Sequence, residues 1–313
     1  MDIRSYLWHV AARMANIAGS IATYLPHQIQ AWLIHLEQKT SQSARTRTLR
    51  FIFFHGMLKN CNRDIIVKKD AFHIGSALVR YTMELNLKDY VDRRYYFLNE
   101  NEDLGKLIVN NLSKNDTYFD IGANIGHTAL LAATVAGKVV AFEPEPAAFQ
   151  KLTQNLARNG FSHVAIHNIA ASDTTGSAQL FICKNNDGSH SMDKQFMGTV
   201  GNTYGDAITV STRALNDMDL PYPTFVKIDV EGHEASALRG MSRYLPTVHY
   251  VYCETSISNF DEIKSLLSQY GFTNQYALDK QKGTFVPVTK EALASKRLFD
   301  ILFVNTNAKE PIL

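Results

Sequence analysis

The sequence predicts an α/β protein: a doubly wound, mostly parallel sheet with covering helices, preceded by an N-terminal helical appendage and a small β lead-in. Three observations carry that prediction. Strand-length and helix-length segments alternate from Glu102 to the end of the chain, the pattern that lays helices on both faces of a parallel sheet. Within them, Thr117 to Pro144 (TYFDIGANIGHTALLAATVAGKVVAFEP) reads as strand, glycine turn, helix, strand and terminal acid. That is one βαβ unit with a nucleotide-type site at the carboxyl ends of its strands. Finally, Ile3, Leu7, Val10, Met14, Ile17 and Ile21 recur at alternating spacings of four and three, drawing one apolar seam along a helix. The boundaries that follow are 1–60 for a helical and basic appendage and 61–313 for the main domain. The latter divides into a β lead-in, 61–100, and a Rossmann-like core, 101–313.

Composition narrows the function classes. With 313 residues, 45% hydrophobic and 20% charged, the chain has enough apolar content for a sizeable core. A net charge of +2 argues against nucleic acid as the main partner, yet it is uneven. Residues 39–69 hold eight Lys/Arg and one Asp, so +7 sits there and −5 elsewhere. Cys61, Cys183 and Cys253 form neither a CxxC nor a disulfide framework, which fits a reducing, cytoplasmic setting. No apolar run reaches the ~18 residues of a spanning helix, and Arg4, His9 and Arg13 interrupt the apolar positions a signal peptide would need.

The elements follow in chain order. The N-terminal seam ends or kinks at Pro26, and Ile29, Trp32, Leu33 and Leu36 suggest a second amphipathic stretch. The seam is read as an appendage packed on its own domain; the alternatives are pairing with a second copy and contact with a membrane surface. Residues 38–50 are polar and basic, a solvated linker or helix face, with attraction to anionic lipid or an anionic sugar nucleotide as the alternative. Phe51 to Leu58 is apolar again. From Ile65 to Leu98 the runs IIV, ALVRYTMEL and YYFL suit strands, with Gly75 at a turn. Glu102 to Asn111 reads as a helix. The Ala/Leu-rich segment from His127 to Ala136 reads as another, stopped by Gly137. Pro146 opens a helix whose apolar face is Phe149, Leu152 and Leu156, before Gly160. Further strands are Val164 to Asn168, SAQLFIC (177–183), Ile208 to Ser211, Thr224 to Asp229 and Val248 to Glu254. A polar insertion runs up to Asp206. A helix, Ser258 to Tyr270, separates the last of these strands from Phe272 to Ala277. Arg297 to Asn305 closes the sequence as an antiparallel strand.

The turn after the first core strand indicates its ligand. Gly122 and Gly126 permit backbone conformations and close approaches that a Cβ would block. Glu143 follows Gly122 by 21 residues, near the offset at which an acid meets a ribose diol. GxGxxG is absent, however, and Asp120 and Asn124 stand where a pyrophosphate would want bare backbone donors. A ligand with a ribose and a positively charged end suits this turn better, and S-adenosylmethionine is such a ligand.

DIGANIG (120–126), FEPEP (142–146), NIAASD (168–173), GSHSM (188–192) and VKIDVEGHE (226–234) occur in that order. Together they resemble the FkbM family of S-adenosylmethionine-dependent methyltransferases, over roughly residues 90 to 255. The resemblance implies that Asp120 and Asn124 hold the amino-acid end of the cofactor, with Gly122 and Gly126 shaping the turn. Glu143 would accept from both ribose hydroxyls, and Asn168 would lie near the adenine. Taken singly, Asp120 also reads as a helix N-cap and Asn124 as a turn residue. Asp229 and Glu231 sit at a strand end over the crevice, with Glu234 in the same motif. Their open roles are general base, cofactor positioning, or metal ligation together with Glu254; base or positioning is favoured over a divalent metal. Lys227 reads as a structural cation at the strand end. His190 is a candidate substrate contact or base near neutral pH, and His233 reads as starting the next helix. Where the family usually has Leu-Asp-Asp, this chain has Leu215-Asn216-Asp217, which removes one carboxylate.

The activity these residues imply is transfer of a methyl group to a hydroxyl of a sugar, glycan or secondary metabolite, so the expected partner is a small-molecule or glycan acceptor. The competing readings are an N-methyltransferase, a NAD-type oxidoreductase weakened by the missing GxGxxG, and a silent cofactor-binding module that recruits a partner through its N-terminal helix.

Overall fold

The computed structural model describes residues 64–74, 77–98, 101–199, 202–279, 284–289 and 298–312. The expectations for the N-terminal seam, the basic stretch before residue 64 and the turn at Gly75 lie outside these residues. Two compact units are distinguished.

The first unit draws its described residues from the stretch ending at Asp70 and from Met83 onward to Leu98. Strand β1 (Ile66–Lys69) pairs antiparallel with β4 (Met83–Asn86). The run YYFL does not follow as a strand. Helix α1 (Tyr90–Arg93) passes directly into a π-helical turn, Arg94–Leu98. Two features account for the difference. Tyr95, Tyr96 and Phe97 are buried in succession, where a strand would turn alternate side chains to opposite faces. Polar anchors also hold the turn: Asp92 accepts from the Asn86 amide at 2.6 Å, and the Lys69 ammonium donates to the Tyr95 and Tyr96 carbonyls at 2.8 and 3.2 Å.

The second unit comprises Ala71–Thr82 and residues from Asn101 onward. ALVRYTMEL is broken accordingly: its first part is β3 (Ala77–Val79), hairpinned with β2 (Phe72–Ile74), and its last part is β4 of the first unit. Tyr81, between them, stacks on Phe72 with ring centroids 4.4 Å apart.

The core is an eight-stranded sheet in the order β14-β13-β15-β12-β11-β5-β6-β7. The strands are β5 (Thr117–Ile121), β6 (Lys138–Phe142), β7 (Val164–His167), β11 (Phe225–Ile228), β12 (Tyr250–Ser256), β13 (Phe272–Asp279), β14 (Thr284–Pro287) and β15 (Leu298–Asn305). The run β12-β11-β5-β6-β7 is parallel. As expected, β15 is antiparallel, to both β12 and β13. Every residue of β5 and β11 is buried, as central strands covered on both faces require.

The helices that position the site are locally specified. Helix α2 spans Glu102–Asn111, the range its sequence indicates. Helix α3 (His127–Val135) is buried from His127 through Ala133, so it has no polar face. Helix α4 (Pro146–Asn159) starts with Pro146 and a Glu145 side chain that accepts the Ala148 amide, and ends at Gly160 with φ +64°.

SAQLFIC belongs to β9 (Gly176–Cys183), which lies outside the core sheet. It pairs antiparallel with β10 (Tyr204–Arg213), itself parallel to the short β8 (Ala170–Ala171). Strand β10 extends further than its apolar centre suggested, since ladder pairing reaches back through Ala207 to Tyr204. The insertion between β9 and β10 contains helix α5 (Lys194–Thr199). Helices α6 (Glu234–Gly240) and α7 (Phe260–Ser268) complete the covering layers. Among the described residues no helix is long and apolar enough to cross a membrane.

Candidate active site

Three parallel strands end side by side at β6, β5 and β11, and each is followed by a residue type the sequence singled out. Asp120 is in β5, register-paired with Lys227 of β11. It is fully buried, accepts from Thr128 Oγ1 at 2.5 Å and lies 3.3 Å from Lys227 Nζ. Burial pushes its carboxyl above the usual carboxylate range, and the Lys227 charge pulls it back.

The turn beyond β5 is shaped by backbone conformation. Gly122, Asn124 and Gly126 all have positive φ. A Cβ on Gly122 would lie 1.9 Å from the Asp229 carbonyl oxygen, so only glycine lets the turn press against the end of β11. The Gly122 and Ala123 amides both donate to the Phe142 carbonyl at 3.0 Å, tying the turn to β6.

Glu143, the residue after β6, is 7% exposed, and each carboxylate oxygen accepts one backbone amide at 2.8 Å, from Asn124 and from Glu145. A carboxylate offers about four lone-pair sites, so lone pairs remain on both oxygens for two further donors. Burial raises its pKa to about 7 against the pull of the two amides and Lys227. This cradle fits a ribose-bearing ligand. Asn124 also donates through Nδ2 to the Asp187 carbonyl at 3.3 Å, and Asn168 spends its amide on the Glu143 and Pro144 carbonyls at 2.8 and 3.1 Å. Asn168 thereby fixes the backbone that carries Glu143.

The second half of the site is the loop after β11. Asp229 is partly exposed, whereas Glu231 is 9% exposed and adopts φ +52°. Oxygens of Asp229, Glu231 and Glu254 lie within 4.8 Å of one another, a hard-oxygen set that could hold a divalent cation. Burial, then the Asp229 charge, raises Glu231 to about 8. Burial together with Asp229 and Glu231 holds Glu254 well above its ordinary value. Glu234, raised by burial to about 7, accepts from the Gly232 amide and from Asn259 Nδ2, each at 2.8 Å. It organises the loop.

Lys227 joins the two halves. Its buried ammonium donates to the Gly122 carbonyl at 2.5 Å and stands 3.3 Å from Asp120 and 3.4 Å from Asp229. Burial opposes its charge, yet Asp229 and Asp120 hold its pKa above the usual value. These are the contacts of a structural cation, and they reach both halves of the site. The available signal was a lysine inside the apolar strand FVKI, two residues from an acid.

The two histidines are differently engaged. His190 Nδ1 accepts the Cys183 amide at 3.1 Å, and burial lowers its pKa. His233 stands at the N-cap position of α6, as its sequence position suggests, but its ring bonds the Ser172 hydroxyl at 3.1 Å and leaves the helix end uncapped.

The β-strand order, the glycine turn and the acids at three strand ends define a Rossmann-like methyltransferase domain of class I. Residues 120–273, just under half of the chain, match the family described as the methyltransferase FkbM domain. Such a domain implies S-adenosylmethionine as methyl donor. A hexuronic acid methyltransferase, AglP of Haloferax volcanii, is 31% identical over 156 residues, covering 49% of this chain and 61% of AglP. The chain thus spans less than two thirds of that relative. Among solved structures, methyltransferase FkbM from Methylobacillus flagellatus KT aligns with a TM-score of 0.43 and 17% identity, over 69% of this chain and 55% of the other. The tRNA m1G37 methyltransferase of M. jannaschii aligns at 0.42 and 15%, over 80% and 58%.

Proposed function

We propose that the chain moves a methyl group from S-adenosylmethionine to a hydroxyl of a sugar acid or a glycan containing one, with Glu231 as the base. The observation that carries this reading is the convergence of Asp229 and Glu231 beside the Gly122 turn. Support for the acceptor class comes from AglP, named a hexuronic acid methyltransferase, whose match to this chain spans 156 residues.

The cofactor supplies an electrophilic methyl on a sulfonium. The chain's residues hold and aim it. Glu143 would accept the ribose hydroxyls and Asn124 would orient the amino-acid end, while Asn168 keeps the Glu143 backbone in place. Asp120, expected from the sequence to touch the cofactor, is completely buried and acts from beneath the turn by holding Thr128 and Lys227. Correct alignment alone can lower the barrier by about 7–11 kcal/mol. When bound, S-adenosylmethionine would supply the methyl group to the acceptor oxygen and leave as the neutral thioether. The hydroxyl proton passes to the Glu231 carboxylate. A hydroxyl needs that base because its own pKa lies far above neutrality.

The test is to incubate the purified full-length chain with S-adenosylmethionine and a panel of glucuronic, galacturonic and neutral sugars and amines, reading products by mass spectrometry. A 14-dalton gain on a uronic acid hydroxyl, roughly one methylene, is the expected outcome; methylation confined to amines would replace the reading. Glu143→Ala is expected to weaken cofactor binding by about 1.5–3 kcal/mol, the scale of hydrogen bonds to a charged group. Because Glu143 accepts best when ionised and its pKa is raised to about 7, wild-type affinity should fall as pH drops through 7. Glu143→Gln should flatten that dependence in calorimetry.

A further inference from the structure

The GSHSM segment lies in the insertion between β9 and β10, and its serines are bound more tightly to the site than its histidine. Ser191 is 0% exposed, and its hydroxyl donates to the Glu231 carbonyl at 2.6 Å while accepting the Asp193 amide at 3.0 Å. The serine is itself fixed, since Phe181 and Ser191 exchange backbone hydrogen bonds at 2.8 and 3.2 Å. At the other end of the contact, Glu231 holds a left-handed backbone conformation, which residues with a Cβ adopt only under constraint. Two further contacts brace the insertion on the same loops. The Asp187 carbonyl accepts from Asn124, and Phe196 packs so closely on Gly232 that a Cβ there would lie 2.7 Å from it.

We infer that Ser191 is a positioning residue for Glu231: by clamping its carbonyl, Ser191 keeps the Glu231 carboxylate aimed beside Asp229 and withdrawn from water. The inference rests on Glu231 acting as the base. A released Glu231 would rotate to a wetter position, and its pKa would move down toward the ordinary glutamate value. The charged and titratable groups facing it are Asp229 and Glu234 on its own loop, Lys227 on β11, Glu254 on β12 and Tyr204 on β10. None of these groups bonds Ser191 through its side chain, so the pH profile of a Ser191 variant is the readout for the setting of Glu231.

The experiment compares wild type, Ser191→Ala and Glu231→Gln for cofactor affinity by calorimetry and for the pH dependence of kcat with a methylated acceptor from the screen. Ser191→Ala is expected to keep cofactor affinity within about threefold, to lower kcat at pH 8 by on the order of tenfold, and to move the acidic limb of the kcat profile to lower pH. A Ser191→Ala profile that overlays the wild type while Glu231→Gln is inactive would overturn the positioning role alone. Full turnover in Glu231→Gln would overturn the base assignment and the positioning role with it. Should Ser191→Ala not yield folded protein, Ser191→Cys, nearly isosteric with a weaker donor, is read by the same criteria.

Discussion

Glu231→Gln is expected to lower turnover by on the order of a hundredfold or more, as for loss of general acid–base help, while cofactor affinity stays within severalfold. Asp229→Asn should act in the same direction. The amide keeps the size of Glu231 and its place beside Ser191, so the loss isolates the ability to take a proton. The pH dependence is a second readout. Burial and the neighbouring Asp229 raise Glu231 to about 8, so a base that works only when ionised gives a wild-type rate that climbs as pH rises through that value. The glutamine variant should lack this limb. Equal loss of cofactor affinity would instead make the two carboxylates cofactor-positioning groups. Activity abolished by a chelator and restored by magnesium would assign them, with Glu254, to a metal.

The second large effect is expected on stability. Lys227→Met removes an ammonium bonded to the Gly122 carbonyl and flanked by Asp120 and Asp229. Breaking a buried pair by deleting one partner typically costs about 3–5 kcal/mol, because the remaining charge is left uncompensated. Asp120 is the exposed party to that loss only in the electrostatic sense: its side chain is completely buried. Its carboxyl is already raised by burial, and without Lys227 it rises further. In the unfolded chain an aspartate ionises near ~3.9. The native variant therefore binds a proton that the unfolded chain has released, and its stability falls as pH increases from about 4 toward the raised native value. Urea unfolding should show a gap between wild type and Lys227→Met that is wider at pH 8 than at pH 4.5. A gap below about 1 kcal/mol at both pH values, the scale of an exposed pair, would show that this lysine does not bolt the site together.

Much of the fold was legible because its signals are local. Pro146 opens α4 and Gly160 closes it through backbone preferences at single residues. Glu102 and Asp103 in its first turn and the buried Leu104, Leu107 and Ile108 mark out α2. The β5–turn–α3–β6 unit is likewise contiguous, so its glycine pattern and terminal acid could be read directly. Tyr95 to Leu98 misled because aromatic residues favour strands in general, while the helical turn is held by Lys69 and Asp92, which lie outside the run. Nor could the local pattern assign β9 and β10 to a sheet apart from the core, since both have ordinary strand composition.

The sequence alone determined the resemblance to a methyltransferase family over residues 120–273 and the residues that cluster at the strand ends, because each rests on residue types within one short segment. Only the tertiary structure decided what those residues do to one another. Lys227 reaches Asp120, 107 positions earlier in the sequence, because β5 and β11 are sheet neighbours in register. Ser191 reaches Glu231 because the insertion folds back from the β9–β10 pair. Asn168 turns its amide to the Glu143 and Pro144 carbonyls. Caps and periodicities act within a turn or two of chain, whereas side chains from successive strand ends meet only through the order β12-β11-β5-β6. That order is set by how the whole set of apolar faces is buried, which no single segment encodes.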